Sequence, residues 1–165
     1  RELVPEKIAS IQGSVPVTQV TGSLTRLKAA PVTLTPGAEF DPVDLEVTGT
    51  VPAFEIQVDG AQCTGFIGET PDYTFAWSGT TEALRIFFEG DADATLLVVG
   101  PNGTVWCADD VKVSENSNPL LTIENPVEGN YAVYVGRLNS ENPITGQLTI
   151  TDAADAEPAV LDPQP

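Results

Sequence analysis

A chain of 165 residues is long enough for one body with a real core, which at this size buries about 68 to 70% of the surface exposed on unfolding. Its 24 acidic and 7 basic residues leave a formal charge of −17, which repels nucleic acid and anionic membranes and makes cations the natural partners. Histidine is absent, removing the usual neutral-pH general base, the Ser-His-Asp arrangement and the commonest zinc ligand, so the chain reads as non-catalytic.

Residues 1–60 read as an extended, strand-rich arm. Short alternating runs at Val15–Val20, Leu24–Leu27, Val32–Leu34 and Leu45–Val47 are interrupted by prolines at 5, 16, 31, 36, 42 and 52. That spacing denies long helices and confines each proline to a strand end or an edge. The alternation at Val15, Val17 and Val20 and at Val32 and Leu34 suits strands that complete a sheet, either in the same subunit or in the next. Donation to the next subunit, repeated head to tail, builds a filament.

Residues 61–151 carry a tighter pattern. Tyr73, Phe75 and Trp77 alternate, then Leu84, Ile86 and Phe88, Leu121 and Ile123, Tyr131, Val133 and Val135, and finally Leu148 and Ile150. Turn signals fall at Ser78-Gly79, Gly90, Asn102-Gly103, Glu128-Gly129-Asn130 and Thr145-Gly146. Short strands about ten residues apart, with no amphipathic helix between them, predict an all-β antiparallel β-sandwich or jelly roll.

The most informative stretch is Gly90–Asp110, which reads as a β-hairpin turning at Gly100-Pro101-Asn102-Gly103. Its outer ends carry Asp91 and Asp93 on one side and Asp109 and Asp110 on the other. A hairpin returns both ends to one edge, so these carboxylates are candidate calcium ligands, the alternative being solvated loop acids. The stretch is not an EF-hand, because the sixth position from Asp91 is Leu96 where glycine is required.

Trp106 is expected to face opposite Val105 and Cys107, and Tyr134 opposite Val133 and Val135. The two rings form either an exposed binding surface for sugar or peptide, or part of the packing between sheets or beneath the arm. The cysteine pair, Cys63 and Cys107, is expected to form a disulfide closing a loop of roughly 45 residues, worth about 4 kcal/mol on the chain-entropy account. With the acidity and a start at Arg1, that pair fits an exported, extracellular or cell-surface product. Residues 152–165, acidic and rich in proline and alanine, read as a mobile tail unless a neighbouring copy or the body itself holds them.

From about Pro71 to Ile150 the order of elements resembles the bacterial pre-peptidase C-terminal domain, itself similar in fold to the collagen-binding domains of secreted collagenases. The residues that carry the resemblance are Tyr73-Thr74-Phe75, Gly79, Asp93 with Leu96 and Leu97, Pro101-Asn102-Gly103, Asp109-Asp110, and Gly129-Asn130-Tyr131 leading into Val133 and Val135. The resemblance implies a non-catalytic secreted sandwich of the kind appended to peptidases, some members of which bind calcium or matrix polymers. Two functions are therefore expected in competition. One is a self-assembling extracellular filament protein joined by strand donation; the other is a monomeric binding module for a polymer or a secreted enzyme.

Overall fold

The computed structural model describes residues 32–54, 56–58, 61–109, 116–139 and 141–161. These contain strands and no helix: β1 (Val32–Leu34), β2 (Val43–Val47), β3 (Val51–Pro52), β4 (Gln57–Val58), β5 (Ala61–Gln62), β6 (Phe66–Ile67), β7 (Tyr73–Trp77), β8 (Ala83–Gly90), β9 (Ala94–Val99), β10 (Val105–Ala108), β11 (Leu120–Glu124), β12 (Gly129–Arg137) and β13 (Ile144–Thr151). Two sheets pack face to face as a β-sandwich, the fold class that the alternating runs predict.

The first sheet is organised around β12. Residues 129–133 pair with β7 on one side, residues 132–137 pair with β9 on the other, and Arg137 reaches β6. The rims are completed by β1 on β7, β10 on β9 and β3 on β6. In the second sheet the order is β11-β8-β13-β2. Between the sheets lie Phe75, Trp77, Leu96, Val98, Tyr131, Val133 and Val135 from one side and Leu84, Ile86, Phe88, Leu121, Ile123, Leu148 and Ile150 from the other. Burying a side chain of this size stabilises the fold by about 1.5–3 kcal/mol, so the alternating positions of these strands set the fold.

Two strands, β9 and β12, depart from alternating burial for a physical reason. All six residues of β9 are buried, with Ala94, Leu96 and Val98 facing the other sheet. Leu97 and Val99 face outward into a second apolar cluster with Val51, Ala53, Ile56, Cys63, Ile67, Val105, Ala132 and Tyr134. Ala53, Ile56 and Cys63, from the connection between β3 and β6, thus form a layer over the outer face of the first sheet. The Cys63–Cys107 disulfide fastens that layer to β10, its Cα atoms 5.8 Å apart. Arg137, only 5% exposed, ties down the approach to it by donating to the carbonyls of Thr48 and Gly49 at 3.2 and 2.9 Å.

Two sequence expectations need correction. The boundary at residue 60 does not separate an arm from a body, because β1 and β2 supply Leu34 and Val47 to the core between the sheets. The prolines at 36 and 42 flank these strands without breaking them. Thr145-Gly146 is no turn; both residues lie inside β13, where Gly146 pairs with Gly90 and Leu45. Of the alternatives for the acidic tail, the body itself holds residues 156–161, by the hydrogen bonds described next.

Candidate interaction site

Inward-facing Leu84, Ile86 and Phe88 leave Arg85, Phe87 and Glu89 on the outer face of β8, since successive strand residues point to opposite sides. Phe87 is a large apolar side chain on a face that also carries its cross-strand neighbour Leu120 and the polar Thr122, Gln147, Thr149, Asp44 and Glu46, and it is only 6% exposed. The segment Ala156–Leu161 is anchored to the residues on either side of it. The Arg85 guanidinium donates to the Ala156 carbonyl at 2.8 Å, and the Glu89 carboxylate accepts the Ala159 N–H. These two anchors flank Phe87, and Pro158, between them in sequence, is buried.

The loop before β11 supplies the second wall. Asn118 Nδ2 donates to the Ala159 carbonyl at 2.7 Å, and Asn116 Nδ2 to the Pro158 carbonyl at 3.4 Å. Leu161 N–H donates to Asn116 Oδ1 at 3.0 Å, and the Ser117 N–H donates to the Leu161 carbonyl at 2.9 Å. Asn116 and Asn118 are buried, and their free valences are used locally: Asn118 Oδ1 accepts the Gly90 N–H, and Asn116 Oδ1 also accepts the Asn118 N–H. All the bonds to the segment fall on its main-chain atoms. The cleft therefore reads main-chain atoms and one buried proline, and Val160 is 71% exposed.

The residues singled out from sequence are distributed as follows. Cys63 and Cys107 are joined. Asp91 lies in the bend between the sheets and is tethered to the second one, accepting the Thr145 N–H and hydroxyl at 3.1 and 3.0 Å. Asp93 belongs to the first sheet, where its carbonyl accepts the Leu138 N–H. Asp109 accepts the Thr64 hydroxyl at 3.1 Å, close to the disulfide, and Asp110 lies outside the described residues. Among the described residues no three acidic or thiol groups converge as a metal site.

Val15, Val17 and Val20 lie outside the described residues. Val32 and Leu34 pair in parallel with Phe75 and Trp77 of the same chain, Leu34 buried and Val32 about half exposed. Trp106 and Tyr134 do not form an exposed platform, because both faces of the first sheet are covered. Trp106 packs toward the core, 6.3 Å from the Tyr131 ring, while Tyr134, 6% exposed, lies under residues 51–67.

Sequence reasoning missed Arg85, Glu89, Asn116 and Asn118. The available signal was Phe87, an aromatic at an outward position between two charged ones. No protein-family model matches the chain, and neither does any curated protein sequence.

Proposed function

We propose that this is a non-catalytic structural protein of the cell exterior that joins to other copies through strand addition by its N-terminal region. The observation that carries the reading is β1: three residues added at the rim of the first sheet and paired to β7 in parallel, preceded in the sequence by the alternating run Val15–Val20. A rim that accepts a short strand from this region within the chain has the geometry to accept it between chains. The disulfide supports an oxidising compartment.

The test is the mass and shape of the full chain by light scattering and negative-stain imaging. Elongated polymers that shorten in a Val15→Asp/Val17→Asp variant are expected. A monomer at every concentration, unchanged by the substitutions, overturns assembly.

The second reading, a monomeric binding module, is favoured by a groove between Ala92-Asp93 and the loop bearing Leu138, Asn139, Asn142 and Pro143. Half-exposed Leu138 beside two amides suits a sugar or peptide ligand. Under that reading the protein stays monomeric and Leu138→Asp abolishes retention on the polymer it binds.

A further inference from the structure

We propose that the cleft on the outer face of the second sheet is a peptide-binding site whose ligand, besides the chain's own Ala156–Leu161, is the same segment of a second copy. Recognition there is through backbone atoms and one buried proline, so the segment of another copy makes identical contacts. Only the connection differs. Within one chain it must reverse direction: Thr151 pairs with Arg85 and Gly146 with Gly90, so β13 runs against β8, whereas Ala156 at Arg85 and Ala159 at Glu89 run along it.

Residues 152–155 make that reversal, with the Ala156 N–H donating to the Ala153 carbonyl. The same connection opened out carries the segment to a neighbour, and reciprocal exchange of one segment closes a two-fold dimer. Net charge of −17 on each copy opposes the encounter, so exchange rises with salt. This inference makes no use of the N-terminal region. Its failure leaves the filament reading intact, and Val15→Asp/Val17→Asp leaves the dimer intact.

The first experiment uses the full chain carrying Ala159→Pro/Leu161→Pro, which removes the N–H groups given to Glu89 and Asn116 and so weakens the chain's own segment. A fluorescein-labelled peptide of residues 155–162 is titrated against it and followed by anisotropy. Saturable binding is expected, at least tenfold weaker for the unsubstituted chain, where the attached segment competes, and at least tenfold weaker after Arg85→Ala/Glu89→Ala. No binding to the folded variant, or binding indifferent to Arg85 and Glu89, overturns the proposal.

A second measurement stands if that variant does not fold. Deleting Ala153–Asp155 leaves one linking residue, where a tight reversal needs two central residues. In the Val15→Asp/Val17→Asp background, which removes filament assembly, this chain is expected to be a dimer in light scattering and a monomer once Arg85→Ala/Glu89→Ala is added. A folded monomer before those substitutions overturns the proposal.

Discussion

Gly90 and Gly146 face each other across β8 and β13, and the backbones approach so closely there that a Cβ on Gly146 would lie 2.2 Å from the Glu89 carbonyl oxygen. The ring of Phe88 closes the same space at 2.7 Å. Gly146→Ala therefore forces the two strands apart at the centre of the second sheet. Destabilisation of about 2–3 kcal/mol is expected, read from urea unfolding followed by tryptophan fluorescence.

Tyr131 is fully buried, stacked on Phe75 with ring centroids 5.1 Å apart, and its hydroxyl donates to the Val127 carbonyl at 2.7 Å. Burial pushes its pKa up to about 12, although the bond to Val127 works against the rise. Tyr131→Phe keeps the stacking and removes one hydrogen bond to a solvent-accessible loop. A loss of about 1 kcal/mol is expected by the same unfolding measurement, against roughly 3–5 kcal/mol for Tyr131→Ala, by analogy with Phe→Ala losses in cores.

Asp72 fills the step where β12 passes from β7 toward β6, accepting the Val135 N–H at 2.7 Å and donating its own N–H to the Val133 carbonyl. Desolvation raises its carboxyl from 3.8 to about 6, and the Val135 bond only partly opposes this. The folded chain thus holds this proton more tightly than the unfolded one. The stability this group contributes is complete below about pH 4 and is lost as pH rises to about 6. Asp72→Asn keeps an acceptor for Val135, so it is expected to gain about 2 kcal/mol over the unsubstituted chain at pH 7 and nothing at pH 3.5. Thermal melts at the two pH values check the sign; a gain at pH 3.5 equal to that at pH 7 removes the assignment.

The Cys63–Cys107 bridge holds residues 51–67 over Leu97, Val99, Ala132 and Tyr134. Cys63→Ser/Cys107→Ser is expected to lower stability by about 3–4 kcal/mol, given the 44-residue separation. Hydrogen exchange should accelerate in residues 51–67 before it does in β8 or β13.

The sandwich was legible because the inward residues of β7, β8, β11, β12 and β13 are large and apolar at every second position, and a one-residue slip would turn them out of the core. Asn102-Gly103 was legible as a hairpin turn for the same local reason: Gly103 takes a positive φ of 78° and donates its N–H to the Gly100 carbonyl. Gly146 was misread because glycine serves close strand approach as readily as it serves turns, and only the partner strand distinguishes the two. Tyr134 was left open between exposure and cover, since whether a sheet's outer face is covered depends on where residues 51–67 travel. The cleft over Phe87 escaped notice because its ligand is the backbone of residues 156–161, and a backbone carries no side-chain signature. A partner for Asp91 was not legible from the hairpin alone, because Thr145, which it engages, belongs to the other sheet.

The central place of β12 bears on how this chain acquires its shape as it is synthesised. Its partners β6, β7 and β9 all precede it by thirty or more residues, and β8 likewise waits for β11 and β13 on its two sides. A nascent chain lacking residues 129–151 holds neighbouring pairs such as β9 with β10, and neither sheet closes until the last strands emerge. Such a polypeptide cannot lock into one form until residues 129–151 have emerged.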